Sequence, residues 1–262
     1  MDLCFNTTLA NPYKSASQKI RIMSEAWVAE HMYCPCCGNE RIVKLSNNRP
    51  VADFFCENCQ EIFELKSKNG LIGKKIADGA YETMIERITS NQNPSLLILQ
   101  YADLCVRNLQ FIPKHFFTPN IIEKRPPLSL TAKRAGWTGC NILYSEIPQQ
   151  GKIIIIHDGI VVNKESQLNA YYKLKALSTT DLNRRGWLMD ILQCINKIPS
   201  QFFTLRELYS FVDMLSAKHP NNKNVEAKIR QQLQLLRDKG FISFCGNGQY
   251  SKNESYFTSF AP

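Results

Sequence analysis

The sequence predicts an α/β chain in two parts. The first is a mixed sheet flanked by helices, with a zinc ribbon inserted, and the second is a smaller α+β domain of winged-helix type. Three observations predict this. Two Cys-x2-Cys pairs, Cys34/Cys37 and Cys56/Cys59, stand eighteen residues apart, which is ribbon spacing. Segments of strand alternation and helical periodicity follow one another around and after them. From Arg184 the pattern changes to three amphipathic helices closed by a hairpin. These shifts place the first domain at 1–182, its ribbon at about 34–59, and the second domain at 183–262. A chain of 262 residues suits one large domain or two unequal ones.

In chain order, residues 1–16 carry no pattern. With Ser17 as N-cap, Ile20, Met23 and Trp27 then recur at helical spacing up to the first cysteine pair. Residues 41–45, 50–55 and 62–66 alternate like short strands, the second being Pro50-Val51-Ala52-Asp53-Phe54-Phe55. Ile76, Ala80, Met84 and Ile88 mark a second helix, and the apolar runs 95–101 and 152–157 suit buried strands. Residues 113–140, rich in Pro, Lys and Arg, read as a surface loop facing an anion. Residues 163–183 read as the domain link, with a short helix at 171–177. In the second domain Trp187, Ile191 and Ile195 line one helix, and Phe203-Thr204-Leu205 opens another with Thr204 as cap. A third spans 224–238 and stops at Lys239-Gly240. Residues 241–250, turning at Gly246-Asn247-Gly248, form the hairpin. The last dozen residues are expected to fray.

Composition narrows the function class. The chain has no apolar run long enough to cross a bilayer, and MDLCFNTTLANPYKS lacks the layout of a signal peptide. The expectation is a cytoplasmic protein. Four of the ten cysteines sit at metal-knuckle spacing, which favours a reducing compartment over a disulfide framework. The net charge of +9 points to an anionic partner such as nucleic acid.

Zinc takes four tetrahedral ligands, and Cys34, Cys37, Cys56 and Cys59 supply a full, structural set. Cys36, inside the first pair, competes for a place in it, and a cluster of buried thiols is the plain alternative. Asp53, ten residues, then Glu64-Leu65-Lys66 is a second pattern. Hard Mg²⁺ prefers carboxylate oxygens, here Asp53 and Glu64. Glu64 and Lys66, two apart on a strand, share a face, so Lys66 sits beside the cation. Alone, such spacing also describes a solvated strand face. Glu25 on the first helix stays outside this set, and His115 and His157 read as packing or surface residues.

On the third helix of the second domain Ile229, Leu233 and Leu236 face inward. Asn224, Ala227, Gln231 and Gln234 fall opposite, flanked by Lys223, Lys228 and Arg230. Amides with basic neighbours suit a major groove. The bland alternative is a solvated helix face, but residues 183–250 hold ten Lys/Arg against five Asp/Glu. In the basic loop, Lys133 and Arg134 precede Trp137, whose ring serves a base stack, a minor groove or the core.

Together, YCPCCGN, NNRPVADF, FELKSK, DGAYETM, KRAGWTGCN and KIRQQLQLLRDK resemble the DpnI family of methyl-directed restriction endonucleases over nearly the whole chain. The resemblance implies an α/β (α+β) PD-(D/E)XK nuclease core with an inserted zinc ribbon, followed by a winged helix. It implies Mg²⁺-dependent cleavage of double-stranded DNA at 5′-GATC-3′ when the adenine is N6-methylated. Asp53 and Glu64, with the Leu65 carbonyl, become Mg²⁺ ligands and Lys66 the catalytic lysine. Cys34, Cys37, Cys56 and Cys59 become the zinc set, and both domains read the methylated site. No organic cofactor, no membrane and a monomeric state complete the expectation. Two alternatives stand beside it: a zinc-ribbon, winged-helix regulator without cleavage, and a nuclease of different specificity.

Overall fold

The computed structural model describes residues 1–46 and 52–257. Helix α1 (Ala16–His31) buries Met23, Trp27 and Val28. Ser15 takes the cap position that the sequence assigned to Ser17, and the two hydroxyls bond each other at 2.8 Å. Strands β1 (Val43–Lys44), β2 (Phe54–Phe55) and β3 (Ile62–Asn69) follow. Pro50 and Val51, expected to begin the second strand, lie outside the described residues.

The helix expected from Ile76 is instead strand β4 (Ile76–Ala80) running into α2 (Tyr81–Thr89). Asp78-Gly79 is a poor helix segment, and β4 finds backbone partners on a strand 60 residues later, which no local period reveals. Next come β5 (Ser95–Ala102) and β6 (Cys105–Ile112), a hairpin turning at Asp103 and Leu104. Strand β6 was not expected. The 113–140 stretch is only partly a surface loop. It contains β7 (Ile122–Lys124) and the start of β8 (Gly139–Ile142). His115, Phe116, Phe117, Thr118, Ile121 and Ile122 are buried, so only about 123–138 remains outside.

Strands β9 (Ile153–His157) and β10 (Ile160–Val161) lead into α3 (Lys164–Lys175). That helix replaces the expected loose link: Asn163 caps it, Tyr171 and Leu174 are buried, and Tyr33 bonds Gln167 at 2.9 Å. Seven strands form one sheet in the order β1-β2-β3-β5-β6-β9-β10, in which β3 and β5 are parallel. Strands β4-β8-β7 make a second, antiparallel sheet.

The C-terminal part runs α4 (Leu182–Lys197), β11 (Phe202–Thr204), α5 (Leu205–Tyr209), α6 (Val212–Lys218) and α7 (Val225–Asp238). Then come β12 (Ile242–Gly246), β13 (Gln249–Lys252) and α8 (Glu254–Phe257). Thr204 and Glu207 form a full capping box, as the sequence suggested for Thr204. The expected second helix is broken at Ser210–Phe211 into α5 and α6. Strand β11 joins the hairpin in a sheet ordered β11-β13-β12, the wing of the domain. The expected fraying fails at 254–257, where Tyr256 stacks on Phe241 at 4.0 Å between ring centroids. Residues 258–262 lie outside the described residues.

One cysteine pair departs from the expectation of a reducing compartment: Cys4 and Cys105 form a disulfide. No helix among the described residues is long and apolar enough to cross a membrane.

Trp187 is 1% exposed and stacks on His219, the residue that ends α6, at 4.0 Å between ring centroids. Trp187→Ala should therefore cost about 3–5 kcal/mol in urea denaturation. Phe202→Ala, whose side chain is exposed, should stay within about 0.5 kcal/mol of the parent.

Candidate active site and metal centre

The β2–β3 hairpin carries one constellation at each end. Its register is Phe54↔Phe63 and Phe55↔Ile62. Cys56 and Cys59 therefore occupy the turn, while Asp53, Glu64 and Lys66 lie toward the open end.

At the turn, the two cysteine knuckles repeat one backbone pattern. Cys34 N–H bonds Asn39 O at 2.8 Å and Gly38 N–H bonds Cys34 O at 2.9 Å. Cys56 N–H bonds Glu61 O and Gln60 N–H bonds Cys56 O, both at 2.9 Å. Gly38 and Gln60 hold equivalent positive φ values of 77° and 60°. The four Sγ atoms lie within 4.8 Å of one another, with Cys34–Cys59 and Cys37–Cys56 both at 3.6 Å. Tetrahedral zinc with Zn–S bonds of about 2.3 Å needs sulfurs roughly 3.8 Å apart, so the donor set fits. Asn58 Nδ2 donates to Cys37 Sγ at 3.4 Å, a brace of the kind thiolate ligands carry. Cys36 is buried and stands outside the four-sulfur group.

At the open end, Arg21, Glu25, Asp53, Glu64, Lys66 and Lys75 are among the residues lining a cleft of about 620 Å³. Asp53 N–H bonds Phe63 O at 2.9 Å, and Asp53 Oδ2 accepts the Leu65 N–H at 2.8 Å. That second bond pins the carboxylate to β3, beyond the point where β2 pairs with it. Asp53 Oδ1 lies 4.0 Å from the Arg21 guanidinium. Glu64 and Lys66 share the cleft face of β3, and Lys66 Nζ lies 2.6 Å from Glu64 Oε1. Burial, with Asp78 and Asp53 nearby, pushes the Glu64 carboxyl up to about 7 against the pull of Lys66. Burial also raises Asp53. For Lys66 burial works against the charge, but Glu64 and Asp78 outweigh it and hold the ammonium above its usual range.

Two neighbours stand outside the expected set: Asp78, which the sequence reading misses, and Glu25, which it leaves out. Asp78 on β4 contacts Lys66 Nζ at 2.5 Å. Glu25 is 4% exposed at its side chain and bridges Arg21 at 2.5 Å and Lys44 at 2.8 Å. No spacing rule points at Asp78, because its partner is twelve residues away on another sheet.

The expected DNA-facing residues divide between two surfaces. Lys133 and Arg134 are exposed, and Arg134 sits 4.6 Å above the Trp137 ring. Trp137 is half-buried and packs against Gly139, where an added Cβ would meet the edge of its ring at 2.8 Å. On α7, Ile229, Leu233 and Leu236 are buried as expected. Lys223, Asn224, Ala227, Arg230, Gln231 and Gln234 are exposed and Lys228 half-exposed. Lys228 bonds Gln231 at 2.7 Å, and Arg230 bonds the Tyr209 hydroxyl at 2.5 Å.

Metal analysis should find one zinc per chain. Cys56→Ser should lose it and melt well below the parent, whereas Cys36→Ser should retain it; equal loss from both would contradict the four-sulfur assignment.

Comparison with protein families gives two matches. Residues 1–180 match the model described as DpnI, the Dam-replacing family. Residues 183–252 match the Dam-replacing HTH domain, a DNA-binding module. The first match alone spans more than half of the chain and includes the sulfur cluster and the acidic cleft. The chain therefore belongs to the DpnI, Dam-replacing family of restriction enzymes.

Proposed function

We propose that the chain is a Mg²⁺-dependent endonuclease that cuts double-stranded DNA at 5′-GATC-3′ when the adenine carries an N6-methyl group. The observation that carries this reading is the opening of Asp53, Glu64 and Lys66 into one cleft, with Asp53 tied to the strand that bears the other two. Family membership supports the restriction activity, and the HTH domain supports DNA as the partner.

The cleft suits a hard cation. Its carboxylates are buried close enough together that Glu64 resists ionisation near neutral pH, a penalty that a divalent ion relieves. Asp53 and Glu64, with the Leu65 carbonyl, are the ligands in this reading. Bound there, Mg²⁺ supplies a nucleophilic water and offsets charge growing on the phosphate. Lys66 keeps an ammonium beside the reacting group, where it orients the water or stabilises the transition state. Arg21 adds positive charge at the mouth of the cleft. Zinc on Cys34, Cys37, Cys56 and Cys59 serves folding alone, because all four positions are filled.

Lys223, Asn224, Ala227, Lys228, Arg230, Gln231 and Gln234 present the reading face of α7. Lys133, Arg134 and Trp137 form a second contact surface on the catalytic part. A methyl group filling an apolar niche is worth about 1–3 kcal/mol, so strong discrimination requires both surfaces to test the mark. A single polypeptide carries all of these parts, consistent with a monomer acting in the cytoplasm.

Adenine-methylated and unmodified plasmid, digested in parallel, should give fragments from the methylated DNA alone; equal cutting of both would sink the methyl dependence. Asp53→Asn should reduce cleavage at least a thousandfold while DNA binding without Mg²⁺ stays within about twofold. The pH response follows from Glu64. Below about 7 its carboxylate holds a proton that the cation must displace, so affinity for Mg²⁺ falls as pH falls. The Mg²⁺ midpoint for cleavage should be about tenfold higher at pH 6 than at pH 8, and an unchanged midpoint would contradict Glu64 as ligand.

A further inference from the structure

Lys66 stands between two carboxylates that differ in kind. Glu64 lies on its own strand and lines the cleft. Asp78 lies on β4, in the other sheet, with 4% of its side chain exposed. Its Oδ1 lies 2.5 Å from Lys66 Nζ and accepts the Gly79 N–H at 2.7 Å. Its Oδ2 is buried with no hydrogen-bond partner among the described residues. A buried, incompletely satisfied carboxylate is costly unless a cation compensates it, and Lys66 is the cation in reach.

The two acids cannot serve Lys66 equally during the reaction. Glu64 belongs to the proposed ligand set, and charge drawn toward a divalent ion is withdrawn from Lys66. The ammonium is then left beside a like charge, which pushes it away from the cleft floor. Asp78 is not part of the cleft wall, so the ion does not compete for it. We propose that Asp78 is the positioning residue of Lys66: its buried carboxylate keeps the ammonium in place once Glu64 has turned to the cation. The inference rests on Lys66 acting in cleavage.

Asp78→Asn preserves shape and an acceptor for Gly79 while removing the charge. In single-turnover cleavage of methylated duplex the rate should fall at least tenfold, with the DNA Kd measured without Mg²⁺ within twofold of the parent. The Mg²⁺ midpoint should rise several-fold, because Lys66 then leans on Glu64 alone and holds it against the ion. A melting cycle without Mg²⁺, with the sulfur cluster left loaded, tests the pairing separately. Lys66→Met strands the Asp78 charge and should lower Tm, and Lys66→Met/Asp78→Asn should recover most of that loss. A parental rate and Mg²⁺ midpoint in Asp78→Asn, with Lys66→Met inactive, would overturn the assignment of Asp78 alone. Additive Tm losses would also overturn it. A parent chain that does not cut under Mg²⁺, or a Lys66→Met variant that cuts as well as the parent, would remove the catalytic reading and this inference with it. If Asp78→Asn is too unstable to assay, the melting cycle decides.

Discussion

A half-buried ammonium needs counter-ions within hydrogen-bond reach, and at Lys66 that requirement joins two sheets. Lys66 sits on β3 of the seven-stranded sheet, while Asp78 sits on β4 of the three-stranded one. Removing both groups from water costs several kcal/mol each before pairing, so the pair makes other placements of β4 expensive. Asp53 does the equivalent for β2, spending one carboxylate oxygen on the Leu65 amide. The acids and the amine thus meet because the backbone around them has few other ways to satisfy its polar groups.

The same hairpin explains why a sulfur cluster belongs in this fold. Strands β2 and β3 are joined by two paired residues on each side, too few to hold a register unaided. Cys56 and Cys59 sit in their turn, and the partner knuckle follows α1, the helix that brings Arg21 and Glu25 to the cleft. Four thiolates on one ion would fix helix and hairpin together from the far end. Structural zinc in small peptides contributes about 10–16 kcal/mol of binding free energy, far more than two residue pairs of ladder supply. Metal bound at one end of the hairpin would therefore steady the geometry at the other.

What the sequence disclosed follows from how local each signal is. The cysteine knuckles and the Glu64/Lys66 pair depend on spacings of two or three residues along one strand or turn, and both were readable. So was the buried stripe of α7, Ile229, Leu233 and Leu236, because a long amphipathic helix repeats its period. Asp78 was not readable. Ile76, Ala80, Met84 and Ile88 mimic one helical face, although the first two belong to a strand whose partner is β8. Strand β6 hid because its inward residues Val106, Leu109 and Phe111 are out of strict alternation, with a register shift in each of its pairings. The Cys4–Cys105 bond spans 101 residues and carries no motif at all.

The two parts of the chain are also less separable than a linker between them would suggest. Arg185 near the start of α4 is 4% exposed and donates to Thr179 O, Phe117 O and the Asn91 side chain, which lies just past α2. Gln150 and Asn196 exchange amide bonds at 2.9 Å in both directions, and Lys218 on α6 reaches both Asp190 and Glu146. At the far end, Lys173 on α3 sits 5.3 Å from the Tyr256 ring. Buried polar ties of this kind hold only in one relative placement, since shifting either part would strand a guanidinium or an amide away from water. A floating HTH module would lend the catalytic part effective concentration and little more. A module locked at several points can pass on geometry, so that a change of position in α7 would be felt at the acidic cleft.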